Sequence, residues 1–161
     1  MNAATTMPTD THAREARLEP LSLARLDEVL AIEAQAHPHP WSRRQFTDAL
    51  ASGYRIDLLL GGDQVLGYFV AMRGVEEAHL LNLTVAPAFQ RKGWGQILLD
   101  ALALWARGQG LQWLWLEVRM GNDRARAVYQ ANGFQQVGLR KRYYPAAGDA
   151  REDALVMSRA L

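Results

Sequence analysis

No cysteine occurs among the 161 residues of this chain, which excludes a disulfide framework, a thiolate metal site and a cysteine nucleophile while leaving the redox compartment open. Long apolar runs are missing too. None approaches the ~20 residues needed to cross a bilayer, and the opening residues carry no signal-peptide apolar segment, so a cytoplasmic protein without a membrane partner is expected. Neither sign of charge dominates: 18 Lys and Arg stand against 17 Asp and Glu, a formal net charge of +1. With no global field to draw in nucleic acid or an anionic surface, any basic partner has to be met locally. Internal repeats and low-complexity tracts are also missing, and the length suits one domain.

What is present is a run of alternating elements. Residues 1–17 are rich in Thr, Ala and charge without periodicity and read as a flexible leader to a single domain, 18–161. Leu23, Leu26, Val29, Leu30 and Ile32 recur at helical spacing, with Ser22 as the expected cap. Ser42-Arg43-Arg44-Gln45 has the form of a capping box and predicts a second helix with Phe46 and Leu50 on one face. Two apolar runs, Tyr54 to Leu60 and Val65 to Met72, flank Gly61-Gly62-Asp63 as in a hairpin. A buried strand, Leu80 to Val85, then ends at Pro87, and a helical pattern runs from Gln96 to Arg107. Gly108 and Gly110 break it before a strand from Gln112 to Val118, completing a βαβ unit. Asn122 opens a further helix with Gly133 as its left-handed cap, and two short strands near Gln135 to Leu139 and Ala154 to Ser158 finish the sheet.

Chemistry collects at a few of these positions. Gln90-Arg91-Lys92-Gly93-Trp94-Gly95 lies between a strand and a helix, where unpaired N–H groups and the helix dipole attract anions. It suits a pyrophosphate, and it suits equally a plain turn; its spacing is neither that of a Walker loop nor that of a dinucleotide fingerprint. Glu117 places a carboxylate near the C-terminal end of an apolar and aromatic strand, an address where ligands gather in open sheets. It reads as a general base or as half of an ion pair with Arg119 or Arg91. Tyr129, on the next helix, reads as a core tyrosine or as a proton donor. His37 and His39 have no third ligand spaced to complete a metal site, so no metal is expected and both read as solvated loop histidines. Arg140-Lys141-Arg142 reads as an exposed strand edge rather than a nucleic-acid patch.

The order of these blocks resembles a known family. Gln90 to Gly95 is similar to the acetyl-CoA-binding motif of the GNAT N-acetyltransferases, and the resemblance continues through Leu114-Trp115-Leu116-Glu117-Val118-Arg119, Asn122, Tyr129 and Gly133-Phe134. With Pro40-Trp41-Ser42 and Arg142-Tyr143-Tyr144-Pro145 it narrows to the bacterial ribosomal-protein-alanine N-acetyltransferases, from about Leu18 to the end. The resemblance implies an α/β (α+β) fold with a mixed, mostly antiparallel sheet, splayed at the cofactor site and flanked by about four helices. It implies direct transfer from acetyl-CoA to a protein's N-terminal amine, the alanine of the eighteenth small-subunit ribosomal protein being the acceptor, with Glu117 as base and Tyr129 as acid. Leu83, Thr84 and Val85 would offer main-chain groups to the pantetheine arm and thioester, Val85 N–H facing the carbonyl oxygen. Arg91, Lys92, Gly93, Trp94, Gly95 and Gln96 would hold the pyrophosphate, and Asn122 would touch the cofactor. Trp94 is bulkier than the aliphatic residue usual there, and Gly121 stands where relatives often have serine. Trp41 and the two tyrosines would flank the acceptor, with Asp149, Glu152 and Asp153 drawing in a basic peptide. The rival readings are an acetyltransferase for lysine or a small amine, and a non-catalytic acyl-CoA-binding module.

Overall fold

In the computed structural model, residues 16–161 are described. They form β1 (Ala16–Pro20), α1 (Leu26–Ala36), α2 (Arg43–Ala51), β2 (Arg55–Gly61), β3 (Gln64–Arg73), β4 (Glu77–Val85), α3 (Trp94–Gly108), β5 (Trp113–Arg119), α4 (Asp123–Ala131), β6 (Gln135–Pro145) and β7 (Arg151–Ala160). The strands make one seven-stranded sheet in the order β1-β2-β3-β4-β5-β7-β6. It is mixed: β4 and β5 are parallel, while β1–β2, β2–β3, β5–β7 and β6–β7 are antiparallel. The parallel ladder is short, running from Glu77↔Trp113 to Leu80↔Leu116. Glu117 is therefore the first residue of β5 beyond it.

The chain resolves into two units, one of residues 1–72 and 82–102 and one of residues 73–81 and 103–161, with β4 and α3 each running from one into the other. In the first unit β2 and β3 are buried on both faces, so their side chains give near-continuous apolar runs instead of an alternation. Leu26, Val29 and Ile32 of α1 and Phe46 of α2 join this core, with Phe46 edge-on to Tyr68 at 6.0 Å. The Ser42 capping box is present: its side chain accepts from Gln45 N–H at 3.2 Å, and Gln45 Oε1 accepts from Ser42 N–H at 2.8 Å. The β2–β3 turn is the two-residue Gly62-Asp63, with Gly62 at φ 59°. On β3, Gly67 permits a close approach of β4, since a Cβ there would lie 2.5 Å from Thr84 O.

In the second unit β5 alternates, burying Leu114, Leu116 and Val118 and leaving Trp113, Trp115, Glu117 and Arg119 on the other face. β7 covers it from Trp113↔Ala160 to Arg119↔Ala154. The outer β6–β7 ladder is irregular between Gln136 and Gly138 and again between Arg140 and Tyr144, where Arg142 takes φ 52°. Asn122 caps α4 through Oδ1, which accepts from Ala125 N–H at 3.2 Å, and Gly133 at φ 86° ends it.

Four local expectations need correction. Ser22 does not cap α1: a 3-10 turn over Leu23–Arg25 intervenes, and it is the Ser22 carbonyl that is used, by Arg25 N–H at 3.0 Å. α3 starts at Trp94, two residues earlier than the apolar pattern suggests, which puts Gly95 inside its first turn. β6 and β7 span 11 and 10 residues, because a hairpin exposed on one face needs no apolar run to continue. Ala16 and Arg17 pair with Gly61 and Leu60 in β1. The rest of the expected leader, 1–15, lies outside the described residues.

Candidate active site

Glu117 owes its place to β5. The strand's alternation puts it on the face shared by Trp115, and since Trp115 faces His79 in the ladder, Glu117 and His79 are diagonal neighbours. Its side chain is 7% exposed, and Oε2 bonds the His79 imidazole Nε2. Oε1 meets the Arg140 guanidinium Nε at 3.3 Å. The ion pair with Arg119 or Arg91 that the sequence allowed is not formed. Arg119 shares the face of Glu117 but turns to Glu152 at 3.1 Å and the Pro145 carbonyl at 2.8 Å, with its guanidinium 4.5 Å from the Tyr144 ring centroid. Glu152 is thereby committed, since its other oxygen accepts from Gly121 N–H at 3.0 Å, and Asp153 accepts from Arg142 N–H at 2.8 Å. Of the three acidic groups assigned to a basic peptide, only Asp149 is without such a bond among the described residues.

Two phenols complete this cluster. Tyr144 is raised above its ordinary value, first by burial and then by the nearby negative charge of Glu117, with Arg119 opposing and Tyr129 adding. Tyr129 packs edge-on against Phe134 at 5.6 Å. Burial pushes its phenol up to about 12, and its hydroxyl has no hydrogen-bond partner among the described residues. It is thus a protonated phenol at neutral pH.

The first unit holds the glycine turn and the end of β4. Arg91 at φ 63° and Gly93 at φ 90° turn the chain into α3, whose first turn contains Trp94, Gly95 and Gln96. The amides of such a turn lack carbonyls four residues back and point outward. Gly95 is not required by packing: a Cβ there would meet only Val85 Cγ2, at an ordinary 3.8 Å. Trp94 is 1% exposed, so its bulk enters the core. Lys92 and Arg91 are exposed, the Lys92 ammonium lying 5.7 Å from the Phe89 ring centroid, and the Gln96 amide donates to Asp100 at 2.9 Å. On β4, Asn82 and Thr84 are buried, while Leu83 and Val85 are half-buried on the opposite face.

The Thr84 side chain belongs to a buried network that the sequence reading missed. Glu33 of α1, with a side chain 1% exposed, accepts from Tyr68 Oη at 2.6 Å and Asn82 Nδ2 at 3.0 Å on one oxygen, and from Trp41 N–H at 2.9 Å on the other. Thr84 donates to Asn82 Oδ1 at 2.7 Å, so the His37 Nε2 that lies 2.7 Å from Thr84 Oγ1 must be the donor of that contact. His37 is therefore a bonded member of the network, not a solvated histidine. Burial and then the Glu33 charge push the Tyr68 phenol upward. The signal was available: Glu33 follows Val29 by four and Ile32 by one, on the buried stripe. His79 could be found the same way, by alternation along β4, but Arg140 could not.

The matched family model covers residues 23–134 and is that of the acetyltransferase (GNAT) family. The chain belongs to that family. A ribosomal protein bS18-alanine N-acetyltransferase of Haemophilus influenzae is 36% identical over 132 residues, 82% of this chain and 90% of the relative. The Escherichia coli K12 protein of the same name is 36% identical over 127 residues, 79% of this chain and 85% of its own. Among solved structures, the ribosomal-protein-S18-alanine N-acetyltransferase from Escherichia coli matches with a TM-score of 0.83 at 33% identity, over 90% of this chain and 93% of that one. A GNAT family acetyltransferase from Elizabethkingia anophelis with acetyl-CoA bound shares the fold, with a TM-score of 0.74 at 22% identity over 91% of this chain and 98% of that one. The mixed, mostly antiparallel sheet with four helices expected of a GNAT protein is the one found among the described residues. No helix is long and apolar enough to cross a membrane, and no His, Asp or Glu group that could hold a metal occurs among the described residues.

Proposed function

We propose that the chain is an N-terminal protein acetyltransferase, working in the cytoplasm, that moves acetyl from acetyl-CoA to the α-amine of the N-terminal alanine of the eighteenth small-subunit ribosomal protein. The observation that carries the reaction class is a nearly buried carboxylate, Glu117, on the first β5 residue past the parallel ladder. The relatives named as alanine N-acetyltransferases support the acceptor. We assign the activity to residues 18–161 as one domain.

The residues present fit acetyl-CoA: an outward-facing first turn of α3, a glycine whose missing Cβ packing does not demand, and the end of β4 at Leu83, Thr84 and Val85, with Val85 beside that glycine. Bound there, acetyl-CoA supplies an already activated acyl group, so no nucleophilic side chain is called for. Arg91, Lys92, Gly93, Trp94, Gly95 and Gln96 hold the pyrophosphate, chiefly by main-chain amides. Val85 N–H stabilises charge on the carbonyl oxygen, and Asn122, whose Oδ1 is used as a cap, keeps its amide nitrogen for the cofactor. Glu117 takes a proton from the acceptor amine, and Tyr129, still protonated at neutral pH, gives one to the leaving sulfur. A terminal amine, with a pKa near ~8, asks less of a single carboxylate than lysine at ~10.4. A polyamine is disfavoured, because the Arg140 guanidinium already stands beside Glu117.

Intact-mass analysis of the ribosomal protein's N-terminal peptide, incubated with acetyl-CoA and enzyme, tests this, with an alanine-capped, lysine-containing peptide as control. One acetyl on the free α-amine and none on the control is the expected result. Acetylation of the control, or of neither peptide, would move the search to lysine or small amines.

A further inference from the structure

The two oxygens of Glu117 are held in different ways. Oε2 is bonded by His79, whose strand is fixed in the β4–β5 ladder opposite Trp115. Oε1 faces Arg140, whose side chain is 56% exposed and whose strand loses its register with β7 directly afterwards, between Arg140 and Tyr144. One oxygen is held by the sheet, the other by a cation that reaches in from an irregular edge. The same guanidinium also lies 5.5 Å from the Tyr143 ring centroid, so the carboxylate is not its sole contact. The other titratable groups around Glu117 are not rivals for Oε1: Arg119 is engaged by Glu152 and the Pro145 carbonyl, and Tyr144 and Tyr129 are phenols held neutral by burial.

We propose that Arg140 holds the place of the acceptor's ammonium at Glu117 Oε1, and that His79 is a positioning residue that keeps Oε2 out of the exchange. The proposal rests on Glu117 being the proton acceptor. The incoming α-ammonium displaces the guanidinium and gives one N–H proton to Oε1. It is left as a neutral amine with its lone pair exposed. Glu117 becomes a neutral carboxylic acid still bonded at Oε2, and Arg140, its charge unchanged, turns to solvent. A guanidinium suits the waiting role because it neutralises the carboxylate yet never surrenders a proton to it. Part of the specificity for a positively charged amine follows, since a neutral acceptor gains nothing from displacing Arg140.

Steady-state kinetics at about pH 7, where a terminal amine is still mostly ammonium, decides the matter. Arg140→Gln is expected to lower the KM for the acceptor peptide about 2- to 5-fold, the span of an exposed ion pair. An unchanged or raised KM overturns the placeholder. His79→Ala is expected to lower kcat about 10-fold or more, with acetyl-CoA affinity kept, and His79→Gln, which retains an N–H donor, to recover most of it. Equal losses in both variants, or no loss in either, overturn the positioning role. Glu117→Gln separates these failures from a failure of the underlying reading: full transfer by that variant removes Glu117 as the base. A dead Glu117→Gln beside an unchanged Arg140→Gln KM removes only the placeholder.

Discussion

Two enclosed carboxylates, Glu33 in the first unit and Glu117 in the second, differ in their partners. Glu33 is surrounded by neutral donors supplied by the first unit, namely Tyr68, Asn82 and the Trp41 amide, with His37 3.7 Å away. Every donor in that chain, from His37 through Thr84 and Asn82, points inward to end on the carboxylate. Glu117 is nearly as buried but is matched by a histidine and an exposed arginine. Burial alone therefore does not mark a reactive acid. A carboxylate saturated by fixed neutral donors is a structural anchor, here tying α1 and the Trp41 segment to β3 and β4. On the reading proposed above, Glu117, met at Oε1 by an exposed arginine, keeps that oxygen available for chemistry.

The comparison breaks most visibly at Glu117. Glu117→Gln should reduce acetyl transfer about 100-fold or more while leaving the thermal midpoint close to wild type, read by kcat and a melting curve. Glu33→Ala should do the reverse, strip the anchor and cost about 3 kcal/mol in a urea melt, because several buried donors lose their acceptor at once. A Glu33 variant as stable as wild type would erase the distinction. Tyr129 sharpens it in pH: its raised value favours the protonated phenol in the folded protein, so this contribution is complete below the ordinary value of 10.0 and is lost only as pH rises through about 12. No fall in transfer attributable to this phenol is expected as pH passes 10, and a limb there that Tyr129→Phe removes would contradict the assignment. The smallest effect belongs to Thr84→Val, which cuts His37 and Asn82 apart and should cost about 1 kcal/mol.

Much of this was legible in the chain, wherever a local rule decides the outcome. The Ser42–Gln45 capping box, the Gly62-Asp63 hairpin turn, the Asn122 cap and the parallel βαβ step all depend on neighbours within a few residues. The position of Glu117 was readable for the same reason, as one polar residue in an apolar strand. Its partner was not. The sequence pointed to Arg119 or Arg91; Glu152 and Tyr144 draw Arg119 away, and Arg140 comes in from β6 beside the irregular β6–β7 register. Ser22 failed because a 3-10 turn satisfied the same backbone group without a side chain. Thr84 was singled out for its main chain, while its hydroxyl serves the other face of β4.

The role proposed for Glu117, handling the proton without holding the cofactor, is tested most directly by titrating acetyl-CoA calorimetrically into wild type and Glu117→Gln, with single-turnover transfer to the acceptor peptide followed on both. The expected result is the same acetyl-CoA dissociation constant within about 2-fold and transfer lost in the variant. A variant that loses acetyl-CoA affinity, or that binds it and still transfers at the wild-type rate, would contradict the role given to Glu117.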